Sequence, residues 1–389
     1  MNGISAHLPS GSGARGEVTR RHNLSTVLTL LHRGSQPRSQ LTARTGLNRS
    51  TIAALIAELA ELGLAYESQP DPTRQVGRPS PMAHADARAV AFAVNPEVDA
   101  ITFGVVGLDG KVVRRIRHET DSAPTVAEFV DISTGVISDL RAEYSASGTV
   151  VGIGVAVPGL VQSGDGLVRW APHLQWRDEP VTALLSEATG IPVSTGNDAS
   201  VGALAEHIYG AGRGISDLIY LNGGASGIGG GIIVNGAPLA GRAGYAGEFG
   251  HVRVADGVAD SLEDRVNRAD LLHALGLAVA DADALDAALL ASTDPYVADL
   301  VHRQLDSLSI SLRNAVNVLN PEVIVLGGFL ASIFAADPGF LVERVREQTL
   351  EASFEGTSIT RAQLGSDLLM IGAAELAFAA LLADPAATA

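Results

Sequence analysis

The 389-residue chain has no cysteine, which excludes disulfides, thiolate nucleophiles and every cysteine-ligated zinc site together. No uninterrupted apolar run reaches the roughly 18 residues that a bilayer-crossing helix needs, so no membrane span is expected. The opening MNGISAHLPSGSGARGE lacks the apolar stretch of a signal peptide, which points to a cytoplasmic location. Residues 1–17 are rich in Gly and Ser and read as a disordered N-terminus. Lysine is missing from the first part: residues 1–90 hold ten arginines, no lysine and six acidic residues, a balance of +4. The whole chain stands at −16, which leaves −20 for residues 91–389. Affinity for nucleic acid follows local charge, so an arginine-bearing head on an acidic body suits a protein that offers DNA one end only.

Residues 39–62, SQLTARTGLNRSTIAALIAELAEL, read as two helices joined by a turn at Thr45-Gly46-Leu47. Ser39 can cap the first helix and Asn48 the second, with Ile52, Leu55, Ile56, Leu59 and Leu62 on one apolar stripe. Leu24, Val27, Leu28, Leu30 and Leu31 supply an earlier helix to pack beneath. Arg49, Ser50 and Thr51 fall at the N-terminal end of the second helix, where a recognition helix meets base edges and phosphates. Two packed helices in an ordinary core would show the same pattern. After them come a strand-like run, Leu64 to Ser68, and then QPDPTRQVGRPSP, too rich in proline for a core and suited to a hairpin wing. Arg74 and Arg78 in that tip are candidates for a narrow minor groove. The head, residues 18–86, resembles the winged helix-turn-helix domains of bacterial repressors.

The remainder, residues 87–389, alternates strand and helix patterns. VAFAV at 90–94, ITFGVV at 101–106 and KVVRRI at 111–116 form a meander, with a turn at Asp109-Gly110. A helix over about 125–143 precedes a buried strand in VVGIGVAVPG. The scheme repeats with DLIYLN at 217–222, GIGGGIIVNG at 227–236, EVIVLGG at 322–328 and a C-terminal amphipathic helix over about 369–382. The pattern implies two α/β lobes, about 87–200 plus the C-terminal helix and about 201–368, with a cleft between them for a ligand.

GIGVAVPGLV at 152–161, APHLQW at 171–176, GNDASVGALAE at 196–206, GGASGIGGGI at 223–232, AGEFGHV at 246–252 and NVLNPEVIVLGG at 317–328 occur in order over some 300 residues. Together they resemble the repressor/open-reading-frame/kinase (ROK) family of sugar kinases and sugar-responsive repressors. The resemblance implies an actin-like, ribonuclease-H-like ATPase fold of two lobes. It also implies sugar-facing roles for Asn197, Asp198, Glu248, His251 and Glu263, residue types that can pair ring hydroxyls bidentately. Asp198 stands at the general-base position of the kinases, Gly159 where backbone approaches the ring, and His173 where the family usually has Asn. Gly224, Gly227 and Gly229 match one nucleotide loop, and Gly327 and Gly328 a turn near the adenosine. From the residues alone, Asn197-Asp198 can equally cap the helix after it, and Gly327-Gly328 can simply end a strand.

The chain departs from the family at two places. A working kinase opens with Asp-X-Gly-Gly-Thr, whose amides close on phosphates and whose acid handles metal. Here Asn95-Pro96-Glu97 stands instead: Asn95 lacks the carboxylate, Pro96 has no amide to donate, and Glu97 would set an anion against the polyphosphate. Catalysis is therefore not expected, and Asp198 becomes a vestigial base. The family's zinc segment is also missing: VRVADGVADSLEDRV after His251 has no thiolate, and Asp256 and Asp260 in that loop read as solvated acids, so no zinc and no other cofactor are expected. The expected function is a sugar-responsive regulator, a repressor in the first instance, that binds an inverted-repeat operator in double-stranded DNA as a homodimer or dimer of dimers, with a sugar or sugar derivative as effector. The alternative is an active sugar kinase carrying a DNA-binding appendage.

Overall fold

The computed structural model describes residues 12–69, 80–146, 148–224, 226–255, 260–279 and 282–387. The chain starts with α1 (Ser12–His32), so residues 12–17 are helical and not unstructured as expected, while residues 1–11 lie outside the described ones. Next come β1 (Gln36–Pro37), α2 (Arg38–Thr45), α3 (Arg49–Glu61), β2 (Ala65–Ser68) and β3 (Met82–Ala85). Gly46 closes α2 in the left-handed region, φ 71°, which a glycine adopts without strain. Asn48 caps α3, its side chain accepting from Thr51 N–H at 2.8 Å. Ser39 does not cap α2: Pro37 holds the cap position with φ −67°, and Ser39 sits one residue inside the helix. Ile52, Leu55, Ile56 and Leu59 are buried against Leu24, Val27, Leu28 and Leu31 of α1. The order β1-β3-β2 makes a small antiparallel sheet whose β2–β3 hairpin is a wing. Its tip, residues 70–79 with Arg74 and Arg78, lies outside the described residues.

The first lobe is built on β4 (Ala89–Pro96), β5 (Ala100–Gly107), β6 (Val112–Glu119), β7 (Thr149–Val157) and β11 (Val193–Asn197), with α4 (Val126–Tyr144) and α5 (Val181–Thr189) on one face. Between β7 and α5 lie β8 (Leu160–Val161), β9 (Val168–Ala171) and β10 (Trp176–Glu179), a small sheet at the lobe's edge. The sheet order is β11-β7-β4-β5-β6. Every residue of β4 is buried, because both faces of this central strand are covered, and its sequence is accordingly a continuous apolar run rather than an alternation. β6, at the edge, exposes Arg114, Arg115 and Arg117.

After α6 (Asp198–Tyr209), the second lobe repeats the plan with β12 (Leu218–Gly224), β13 (Gly227–Val234), β14 (Ala237–Pro238), then α7 (Leu262–Arg265), α8 (Arg268–Ala274), α9 (Ala282–Ala291) and α10 (Pro295–Leu319). It is completed by β15 (Val323–Gly328), α11 (Phe329–Ala336), α12 (Pro338–Gln348), α13 (Glu351–Phe354) and β16 (Ser358–Arg361). Its sheet runs β14-β13-β12-β15-β16, so in both lobes the first three strands are a meander, the fourth joins the first in parallel and the fifth joins the fourth in parallel. Two copies of one strand order, facing across a cleft, are the actin-like, ribonuclease-H-like arrangement. Leu305, Leu308, Leu312 and Val316 of α10 fill the core of the second lobe.

The last helix, α14 (Leu368–Ala383), is not amphipathic as expected but apolar nearly all round, with Glu375 its only charged residue. Its composition and length would suit a bilayer. In the fold it is a core helix: Met370, Ala373, Ala374, Phe378 and Leu381 are buried among residues of the first sheet and of the winged head, so one hydrophobic core joins head and body.

Candidate functional site

The cleft between the lobes is a cavity of about 210 Å³ bounded by the ends of β7, β11 and β12, by the β12–β13 turn and by the segment 248–251. Gly159, His173, Asn197, Asp198, Glu248, His251 and Glu263 all line it. So seven residues spread over more than a hundred positions of sequence converge at one place. Gly224, Gly227 and Gly229 line the same wall.

Asn197 ends β11 and caps α6, its Oδ1 accepting from Ser200 N–H at 2.9 Å. Its amide protons are engaged as well: Nδ2 donates to Gly159 O at 3.0 Å and to Asp198 Oδ1 at 3.1 Å. Asn197 therefore caps α6 and orders its neighbours at the cleft, with only part of one oxygen left unengaged. Asp198 Oδ1 also accepts from Ala199 N–H at 2.8 Å, which leaves Oδ2 for the cleft. Burial pushes the Asp198 carboxyl up to about 6, and the nearby Glu248 adds to the rise. The Glu248 carboxyl is raised too, first by burial and then by Glu263, against the opposing effect of His251. His251 Nδ1 lies 3.1 Å from Glu263 Oε1, an exposed pair on the rim. Gly227, at φ 124°, turns the β12–β13 hairpin beside the Glu263 carboxylate, a backbone conformation that glycine alone adopts cheaply.

Trp170, Asn222 and Ser226 also line the cleft and were not singled out from the sequence. Trp170 is 42% exposed, unusual for its type, and presents an aromatic face at the rim. It directly precedes APHLQW, and Asn222 directly precedes GGASGIGGGI, so windows one residue wider would have included both.

Several glycines of the second lobe stand where a side chain would collide. A side chain at Gly229 would lie 2.7 Å from Ala199 Cβ of α6, and one at Gly327 would meet the buried Tyr220 hydroxyl at 2.4 Å. Gly328 begins α11 at φ 56°, against Gly223 O. Neither Gly327 nor Gly328 belongs to the cleft lining.

At the end of β4, Asn95 is buried and donates to Ala156 O on β7 at 2.9 Å, while Pro96 pairs with Ile101 of β5. The Glu97 carboxylate accepts from Thr102 Oγ1 at 2.7 Å and pairs with Arg117 Nη1 at 2.8 Å, and Glu97 is not among the residues that line the cleft. The strand register brings Thr102 and Arg117 beside it and satisfies its charge there. The residues after His251 do not fit a zinc centre either. Thiolates are absent, His251 faces Glu263, and Asp260 accepts from Arg265 Nε at 2.7 Å; Asp256 lies outside the described residues.

On the head, Arg49 and Ser50 are exposed at the start of α3 and Thr51 is half-buried. Ser50 Oγ donates to Asn48 Oδ1 at 2.7 Å, which makes it part of the cap. Arg20 is paired with Glu58 and Arg38 with Glu67. Arg44 and Arg49 make no ion pair among the described residues.

The profile of the ROK family matches residues 92–380. The chain belongs to the ROK family. Over 401 aligned positions it is 24% identical to a xylose repressor of Caldicellulosiruptor bescii, covering 94% of this chain and 97% of that protein. It is also 27% identical to a glucokinase of Halalkalibacterium halodurans, over 62% of this chain and 80% of the relative. Among solved structures, a ROK family transcriptional regulator, described as a homologue of the E. coli MLC protein, superposes with a TM-score of 0.76 at 21% identity, covering 94% of this chain and 97% of that one. The glucokinase match covers 62% of this chain, whereas the xylose repressor and the regulator structure each cover 94% of it.

Proposed function

We propose that this ROK protein is a sugar-responsive transcriptional regulator, a repressor in the first instance, whose winged head binds an operator and whose cleft binds a sugar without phosphorylating it. The observation that carries this reading is the union, in one chain, of an arginine with no ion pair among the described residues on a capped recognition-type helix, a core shared by head and body, and a hydroxyl-matching cleft. Asp198, Glu248 and Glu263 supply acceptors to ring hydroxyls, His251 and His173 supply ring nitrogens, and Trp170 offers a face for the ring's C–H side. Asn197 orients Asp198 and the Gly159 backbone. The near full-length match to a xylose repressor supports the same reading.

In the head, Arg49 and the first-turn amides of α3 would read the major groove and hold phosphate, and Arg74 and Arg78 of the wing would reach the backbone or minor groove. A homodimer, or a dimer of dimers, would place two such heads on an inverted repeat. Sugar shifts the DNA-binding equilibrium only through unequal affinity for two states, with a coupling on the order of 1–3 kcal/mol.

Asn95-Pro96-Glu97 in place of an amide-rich phosphate loop argues against turnover. A second reading, a sugar kinase with a DNA-binding appendage, is favoured by one feature: Asp198 keeps a free oxygen and an elevated proton affinity, as a general base needs. Incubation with Mg-ATP and a panel of hexoses, pentoses and amino sugars separates the two. The regulator reading expects sugar-dependent stabilisation with no ADP release; sugar-dependent ADP release at enzymatic rates would overturn it.

A further inference from the structure

His32, the last residue of α1 in the winged head, has a side chain only 1% exposed, and its partners belong to the body. Its Nδ1 lies 2.6 Å from Leu108 O, just after β5, and its Nε2 lies 2.9 Å from Glu375 Oε2 of α14. A carbonyl can only accept, so Nδ1 donates to it, while Nε2 faces a carboxylate that is itself 3% exposed, an arrangement that favours the doubly protonated ring. Burial alone would lower its proton affinity; Glu375 reverses that and raises it. The Tyr209 hydroxyl, at the end of α6, donates to His32 O at 3.2 Å and sits 3.0 Å from Nε2. Arg33 beside His32, Asp109 in the β5–β6 turn and the buried His207 of α6 are further ionisable groups at the joint.

The helices that meet at His32 are those packed between the lobes. α14 lies on the first sheet so closely that a side chain at Gly154 would fall 1.7 Å from Ala373 O, and one at Gly104 would strike Met370. α6 lies on the second sheet, Ala199 against Gly229 and Ala203 against Gly231. The two cross at Gly372, where a side chain would meet Val201 O at 2.3 Å. α6 is thus a stiff rod of 12 residues, about 18 Å long, with Asp198 in the cleft at one end and Tyr209 on the head at the other. Near the Tyr209 end, the wholly buried Glu206 accepts from Gln363 and Leu364 N–H, which fixes the rod to the segment leading into α14.

We propose that the buried His32–Glu375 pair is the latch that holds the head to the body, and that α6 transmits cleft occupancy to that latch through Tyr209. The relay half rests on the sugar-sensor reading above; the latch half does not. Buried charge pairs fail when one partner loses its charge, and a rigid element between two sites carries coupling only where its far contact is intact.

Amide hydrogen exchange on the full-length chain tests both halves. Without ligand, Glu375→Gln is expected to raise exchange across residues 24–32 about tenfold while the sheet residues 92–94 and 153–157 stay protected, which also certifies the fold. Unchanged exchange at 24–32 overturns the latch. With D-xylose and D-glucose as probes, a sugar that protects residues 222–229 and 248–251 is expected to change exchange at 24–32 in the unmodified chain. Tyr209→Phe should keep the cleft protection and lose at least about two-thirds of the head response. A head that does not respond, or that responds equally in Tyr209→Phe, overturns the relay. If neither sugar protects the cleft, the sensor reading fails for these sugars and the relay as stated fails with it, while the ligand-free comparison still decides the latch.

Discussion

The side-chain amide of Asn197 donates to Asp198 Oδ1 at 3.1 Å, so the carboxylate that faces the cleft is aimed by the residue that caps its own helix. That carboxylate is ionised only against the cost of burial, its proton affinity having risen from 3.8 to about 6. A raised carboxyl contributes stability that is full below pH 3.8 and is lost as pH rises through about 6. Asp198→Asn removes that loss and keeps Oδ1 for the Ala199 amide. In urea titrations the variant should match the unmodified chain near pH 4 and gain on it as pH rises, reaching about 3 kcal/mol above pH 7. It should also bind sugar at least about tenfold more weakly, having lost a charged acceptor. A stability difference that does not change with pH would show that Asp198 is not carrying a buried charge.

Three carboxylates line the cleft, and neither lysine nor arginine is among its lining residues. A sugar phosphate would bring like charge into a partly desolvated space. The expected effector is therefore an uncharged or cationic sugar. In thermal-shift measurements at equal millimolar concentration, a parent sugar that raises Tm should do so clearly more than its phosphate ester. An ester that stabilises as well as its parent would mean that a cation from outside the described lining reaches the site.

Much of the fold and of the cleft was legible in the sequence, for physical reasons. Strands buried on both faces give uninterrupted apolar runs, so β4, β7 and β15 stood out, and Gly46 and Asn48 marked the end of α2 and the start of α3 because cap and turn chemistry is local. Contacts set by register or by distant packing were not legible. The direction of the Glu97 carboxylate depends on the β4–β5–β6 pairing that brings Thr102 and Arg117 beside it. The C-terminal helix looked amphipathic because Glu375 interrupts its apolar run, yet that residue is buried against His32, 343 positions away. Nothing local marks such a pair.

The segment after His251 makes a further prediction. With no thiolate in the chain and Asp260 held by Arg265, protein purified without chelator and dialysed should carry well under one equivalent of zinc. Plasma emission spectroscopy measures this directly. About one equivalent per chain, removed by chelator together with a fall in Tm, would assign a metal to His251 and its acidic neighbours.

Arg49 offers the sharpest test of the head. It lies exposed at the first position of α3 and, unlike Arg20 and Arg38, has no carboxylate holding it among the described residues. Arg49→Ala leaves the Asn48 cap intact, because the cap bond goes to the Thr51 amide, so the head should remain folded. If Arg49 reads a base edge, the variant should lose about 1–3 kcal/mol on a DNA sequence selected by the unmodified chain and much less on random DNA. Sugar-induced stabilisation should be unchanged, since the cleft is untouched. A loss equal on selected and random DNA, with the salt dependence reduced by about one counterion, would assign Arg49 to a phosphate and move sequence reading to another residue of α3.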